Sequence, residues 1–430
     1  MLSGFVSAFR TPDLRRKILF TLGIIALYRL GAAIPTPGVN YSGVRQCIDQ
    51  SESNSVLDLI NVFSGGALLQ LSIFALGIMP YITASIMVQL LRTLIPRFQT
   101  LHQEGPDGQA KLTQYTRYIT VGFAVIQSAS YITLARNGLL IGPCDQMFPN
   151  ESWYVFALMI LAMTTGTVLI MWLGERITEG GIGNGMSLLI FASIAASFPA
   201  AGIQIANAPG QFAWFWVLIT ALVIIVAIVF VEQSQRRIPV QYAKRMVGRK
   251  MLGGSSTYIP IKINMAGIIP VIFASSLMTI PQLVSQFSGD DASGWVLWLQ
   301  NNFASQSSPY YIGFFTLMIV FFAYFYTAIT FNPEEVAENM KKYGGFIPGI
   351  RPGKPTAQFL DYVLSRITAA GSLYLAAVAL IPTLVFIALN LNQAIPFGGT
   401  SLLIVVGVGL DTVKRIQSQL ESRHYEGFLK

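Results

Sequence analysis

Ten long stretches of this chain are almost unbroken in apolar residues, and the polar residues collect between them. A helix that crosses the hydrocarbon core of a bilayer needs about 20 predominantly apolar residues. Residues 18–34, 71–94, 119–140, 153–173, 184–203, 212–231, 264–284, 310–330, 364–387 and 398–413 therefore predict ten spans, the last short and the fifth interrupted by small polar residues. An eleventh stretch, 56–69, reads VLDLINVFSGGALL. It is too short to cross, and Ser64-Gly65-Gly66 is a weak point for a helix. It predicts a re-entrant half-helix on the outer side that runs straight into span 71–94; a surface amphipathic helix is the alternative.

Composition makes this one membrane domain. Of the 430 residues, 53% are hydrophobic and 11% charged, against about 25% charged in soluble domains. So few charges cannot coat a globule in water, whereas a helix among acyl chains needs no such coat. Residues 1–17 are polar and basic, and the first apolar run ends at Ile34-Pro35 with no small-residue cleavage site. That run reads as a retained span. The two cysteines, Cys47 and Cys144, exclude a disulfide framework. With only two histidines, His102 and His424, a histidine-rich metal centre is excluded too. No cofactor is implied.

Basic residues orient the chain. With the N-terminus in the cytosol, 25 of the 28 Lys and Arg fall on cytosolic segments, Arg45 and Arg136 fall outside, and Arg29 lies within span 1. Both termini are then cytosolic. The chain divides into a cytosolic N-terminus (1–17), a first half (18–203), an outer connection (204–211), a second half (212–413) and a cytosolic tail (414–430). Two cytosolic loops are long. Loop 232–262 holds seven basic residues and one acid, Glu232, and loop 331–363 is rich in Pro and Gly between 346 and 355. They are docking surfaces or merely solvated ends. Cys47 and Cys144 share the outer side, where a disulfide between them is permitted.

Catalytic chemistry is absent from the pattern. Gly181-Ile182-Gly183-Asn184-Gly185 resembles a phosphate loop, but no strand precedes it, so it reads as a tight turn between spans. Gly349-Ile350-Arg351-Pro352-Gly353-Lys354-Pro355 fails as a P-loop twice, since prolines stand where Gly and Ser/Thr are required. Apart from Arg29, the spans lack the mid-membrane carboxylates or histidines of ion-coupled pumps. What remains is a passive conduit driven from outside. In span 71–94, Ile78 and Ile82 are four apart on one face, and Pro80 predicts a bend. Such a stripe is either ordinary packing or a hydrophobic constriction.

The run from Ser72 to Gln89 resembles the second-helix signature of the SecY family of protein-conducting channels. So does Trp172-Leu173-Gly174-Glu175-Arg176-Ile177-Thr178-Glu179-Gly180-Gly181-Ile182-Gly183-Asn184-Gly185-Met186-Ser187. Gln235-Arg236-Arg237-Ile238-Pro239-Val240-Gln241-Tyr242-Ala243-Lys244-Arg245 resembles the family's fourth cytosolic loop. Phe331-Asn332-Pro333 and Pro348-Gly349-Ile350-Arg351-Pro352-Gly353 resemble its fifth. The tail from Tyr425 to Lys430 looks actinobacterial.

The resemblance implies an all-α membrane protein. Ten transmembrane helices form two inverted pseudo-two-fold halves of five, with segment 56–69 as a re-entrant plug helix that includes Phe63, Ser64, Gly65 and Gly66. It implies a pore ring of Ile78, Ile82, Met186, Ile190, Ile272 and Ile404, and a lateral gate carrying Thr83, Gln127 and Asn264. On the basic loops, Arg236, Arg237, Lys244, Arg245, Arg249, Lys250 and Arg351 dock a motor or ribosome. The implied partners are SecE and SecG subunits, the SecA ATPase, the ribosome with its RNA, signal peptides and nascent chains, and the lipid bilayer. The implied place is the cytoplasmic membrane. Two departures stand out: Gly180 where many relatives have Arg, and Met186 where isoleucine is commoner. The expected function is passage of unfolded secretory polypeptide across the membrane and sideways release of membrane segments. A secondary transporter of a small solute is the rival, and it calls for a polar mid-membrane site that the spans lack.

Overall fold

The computed structural model describes Phe9 and residues 11–40, 43–44, 64–68, 70–136, 148, 152–206, 213–242, 245–247, 250–252, 256–287, 294–303, 308–388 and 398–428. Phe63, Lys244, Arg249, Cys47 and Cys144 lie outside the described residues, as does most of segment 56–69.

The described helices are α1 (Pro12–Ala32), α2 (Met79–Leu94), α3 (Pro96–Gln103), α4 (Pro106–Arg136), α5 (Trp153–Gly180), α6 (Gly185–Ala206), α7 (Ala213–Gln233), α8 (Ile269–Phe287), α9 (Gly294–Phe303), α10 (Pro309–Thr330), α11 (Pro333–Lys342), α12 (Lys354–Ala388) and α13 (Gly399–Phe428). Among the described residues, α4, α5, α7, α10 and α12 are long and apolar enough to cross a membrane. On α7 the exposed surface includes Trp214, Trp216, Leu222, Val226 and Phe230, a helix apolar all round, as lipid contact requires. Helix α4 packs on α2 and α5, and α5 on α1 and α6. Helix α10 packs on α8 and α12, while α13 packs on α7 and α12. Contacts of α2 with α8 and of α6 with α13 join these groups.

Three features differ from the sequence expectation. First, residues 71–78 are not helical. Leu71 takes φ +46° and Gly77 φ +55°, and Ser72 forms a bridge with Pro35. The amide of Ile73 donates to Ile34 O at 3.0 Å, and that of Thr36 to Leu71 O at 2.9 Å. These long-range bonds hold the segment against the end of α1, and the helix begins only at Met79. Pro80 sits in the first turn, where no backbone donor is needed; it starts the helix instead of bending it. Residues 65–68 are turns as well.

Second, the fold is not wholly α. Within loop 232–262, β1 (Gln235–Tyr242) pairs antiparallel with β4 (Ser256–Lys262), from Gln235 opposite Lys262 to Gln241 opposite Ser256. Strands β2 (Arg245–Val247) and β3 (Lys250–Leu252) form a second pair, and β5 (Gly345–Phe346) adds to β1. The seven basic residues mask a period-2 pattern. Ile238, Val240 and Ile261 are buried in one cluster with Leu360, Val363 and Leu364 of α12, so the sheet rests on that helix. Third, α12 and α13 run well beyond their apolar segments, α12 from Lys354 and α13 to Phe428.

Candidate functional site

The six apolar residues expected to form a ring lie on, or at the start of, four helices. Ile82 of α2 lies one turn after Ile78, the residue that caps the helix, its amide donating to Ile78 O at 3.1 Å. In α6 the start is fixed by Asn184, whose Oδ1 accepts from Met186 N at 3.1 Å. Thr178 Oγ1 accepts from Gly185 N at 2.9 Å. A Cβ at Gly185 would overlap the carbonyl of Gly174, so only glycine lets α6 start this close to α5. The stretch 181–184 is thus a turn between helices, with Gly183 at φ +86°. Helix α8 contributes Ile272 and α13 contributes Ile404. All six residues, Ile78, Ile82, Met186, Ile190, Ile272 and Ile404, are at most 9% exposed and belong to one continuous apolar cluster.

A cavity of about 340 Å³ adjoins this cluster. Ile268 and Val408 in its wall lie one turn from Ile272 and Ile404. Its polar lining includes Ser187, Glu232, Lys262, Asn264, Asp411 and Lys414. A polar, charged cavity therefore borders part of this apolar cluster.

The three gate candidates are placed differently. Thr83 is half-buried on α2, and its hydroxyl donates to Met79 O at 3.0 Å. Gln127 is half-buried on α4. Asn264 is buried, and its Nδ2 donates to Glu232 Oε1 at 2.6 Å and to Gly267 O at 3.0 Å. Among the described residues no hydrogen bond joins the three. Glu232 was visible in sequence only as the single acid of a basic loop. The signal was its position, directly after an uncharged span.

Of the plug candidates, Ser64 is buried and its Oγ accepts from Leu68 N at 3.1 Å. Gly65 O accepts from Arg29 Nη1 at 3.0 Å. Gly65 and Gly66 both have positive φ, +67° and +87°. Next to Arg29, Tyr28 is fully buried and its hydroxyl lies 2.6 Å from Ser193 Oγ of α6.

Of the docking candidates, Arg236, Arg237 and Arg351 are exposed. The guanidinium of Arg237 stands 4.8 Å over the Tyr258 ring across the β1–β4 pair, which holds one charge in place. Arg245 and Lys250 lie on β2 and β3. On the same end of the bundle, Arg117 clasps Glu175 with two bonds of 2.9 and 2.8 Å. Desolvation, with Arg92 adding to it and Glu335 opposing, holds the imidazole of His102 below its ordinary range. Among the described residues no group of three His, Cys, Asp or Glu is arranged to hold a metal.

A sequence model described as SecY matches residues 72–413. The chain is 60% identical to the protein translocase subunit SecY of Streptomyces scabiei, over the full length of both. It is 56% identical to the Mycobacterium tuberculosis protein of the same description, again over both full lengths. Among solved structures it resembles "The structure of a protein conducting channel" with a TM-score of 0.63 at 18% identity, covering 94% of this chain and 91% of that one. It resembles "Sec61 in the Canine ribosome-channel complex from the endoplasmic reticulum" with a TM-score of 0.60 at 17% identity, covering 94% and 91%. These two show a shared fold.

Proposed function

The chain belongs to the SecY family, and from that premise we propose how its parts conduct polypeptide. It is a channel-forming protein translocase subunit and not an enzyme; it passes unfolded secretory chains across the membrane under an external drive. The six apolar side chains form the waist of the pore, and the 340 Å³ cavity is part of the cytosolic funnel above it. The observation that carries this reading is their adjacency. Hydrated ions in a charged chamber meet a ring offering no replacement ligands, whereas an extended chain can push between side chains that make only non-directional contacts.

Ten spans make two inverted halves, α1–α6 and α7–α13; the packing groups support this. Segment 56–69 seals the waist from the outer side. Helices α2 and α4 part from α8 and α10 to admit signal peptides and release membrane segments into lipid, with Thr83, Gln127 and Asn264 near that seam. Arg236, Arg237, Lys244, Arg245, Arg249, Lys250 and Arg351 receive the SecA motor or ribosomal RNA phosphates, and SecE and SecG complete the complex. Both termini face the cytosol. Lys250→Cys labelled by an impermeant maleimide from outside the cell would overturn that orientation.

The direct test is reconstitution with SecE, SecG and SecA in vesicles. An unfolded secretory substrate should become protease-protected in an ATP-dependent manner. A well-folded complex that moves small solutes and no polypeptide would return the transporter reading.

A further inference from the structure

Glu232 breaks two local rules at once. It ends α7, a helix whose preceding 19 residues carry no charge. A carboxylate at a helix C-terminus faces the negative end of the backbone dipole, and this half-buried one lines a cavity. Local conflicts of this kind tend to mark functional positions.

Its bonds make it a junction. Glu232 Oε1 accepts from Asn264 Nδ2 at 2.6 Å, and Glu232 O accepts from Lys414 Nζ of α13 at 3.4 Å. Two residues on, Ser234 O accepts from Ile263 N at 3.1 Å. These bonds close the base of the β1–β4 hairpin where α7 leaves and α8 begins. The link into α8 is irregular from Ile263 to Ile268, with Gly267 at φ +62° and open space about it. The second hydrogen of the Asn264 amide goes to Gly267 O at 3.0 Å. Glu232 therefore orients the amide that in turn fixes the link. Helices α8 and α13, both reached from Glu232, carry Ile272 and Ile404.

We infer that Glu232 is a positioning residue whose side chain locks the start of α8 to the base of the basic hairpin, so that a partner pulling on the hairpin unlocks α8 from α2. The inference rests on the reading of α2 and α8 as the gate. Strain applied at β1 and β4 reaches the Glu232–Asn264 bond before it reaches α8. Breaking that bond frees a glycine-containing link and gives α8 room to swing.

The test uses the reconstituted complex with Cys47 and Cys144 replaced by Ser, and spin labels at Met87 of α2 and Leu277 of α8, both exposed. In the resting complex, E232A should lengthen and broaden the label–label distance and raise resting ion flux. The expected size is about a tenfold larger open population, equivalent to about 1.4 kcal/mol. E232Q keeps an acceptor for Asn264 and should stay close to the parent, and SecA affinity should be unchanged in both. Should E232A fail to accumulate, N264A removes the same bond from the other side and is read in the same way. Unchanged distance and flux in a complex whose parent translocates would overturn the inference alone; a parent that does not translocate would overturn the underlying reading.

Discussion

The guanidinium of Arg29 donates to the carbonyl of Gly65, 3.0 Å away, and so ties a charge within span 1 to the segment that precedes span 2. An intramembrane arginine is expensive unless its donors are used, and a bare backbone carbonyl in lipid is equally costly. Each therefore satisfies the other. Gly65 fits because it has no side chain: a Cβ would lie 2.8 Å from Arg29 Nη1 and 3.2 Å from the backbone of Ser193. Its φ of +67° also disfavours any other residue.

Gly65→Ala should accordingly push the segment off Arg29 and raise resting ion leak, with a loss of stability of about 1–3 kcal/mol from backbone strain and contact. Arg29→Leu should raise leak without the backbone strain. Ion flux in vesicles and thermal unfolding of the detergent complex measure the two effects separately. A Gly65→Ala channel as tight and as stable as the parent would refute the contact's importance.

Helices α4 and α5 are joined by the Arg117–Glu175 clasp, with the Glu175 side chain 19% exposed. Its two parallel bonds make it stronger than a typical surface pair, yet the Arg117 side chain is 41% exposed and solvent screens it. Arg117→Ala should lower stability by about 1 kcal/mol and leave conductance unchanged, and high salt should shrink the difference between variant and parent. A loss insensitive to salt would mean that packing of the arginine stem matters more than its charge.

Arg351 tests the docking face. Its side chain is exposed, while its carbonyl accepts from Thr356 Oγ1 at 2.9 Å and so anchors the loop to the start of α12. Arg351→Glu reverses one charge without removing that anchor. The variant should insert and assemble normally, bind SecA or ribosomes at least several-fold more weakly, and translocate more slowly. If the basic loops serve only as orientation signals, the variant should instead misinsert while partner affinity is kept. Quantitative pull-down and topology labelling on one preparation separate these outcomes.

Five of the apolar segments, those of α4, α5, α7, α10 and α12, were legible as long apolar helices, because a continuous apolar run of that length satisfies its own backbone as a helix. Ile78 and Ile82 were legible as a pair from spacing. The irregular entry to α2 was not. Pro80 and Gly77 resemble a kink within a helix until the bonds from residues 34–36 to 71–73 are seen, and those join positions more than 30 apart. Strands β1 and β4 were hidden for a related reason. Their buried faces are only Ile238, Val240 and Ile261, set among arginines and lysines, and the surface that buries them belongs to α12. The Glu232–Asn264 bond spans 32 positions and has no local signature beyond an acid out of place.

The waist itself gives the sharpest prediction. If Ile82 and Ile190 line a closed pore, changing both to Ser places hydroxyls where ions need ligands and removes bulk that excludes water. Resting conductance in planar bilayers should rise clearly above the parent, with the complex assembled. If the same residues are ordinary packing, truncation leaves voids instead, at about 2–5 kcal/mol for each large-to-small core change, and the bundle should lose stability without leaking. Both residues are 5–8% exposed within one cluster, so burial alone does not distinguish a closed pore from a packed core. The polar cavity one turn away does favour the pore: a charged chamber that borders the apolar cluster is what the approach to a waist requires. A folded, assembled double variant with background conductance would remove Ile82 and Ile190 from any pore.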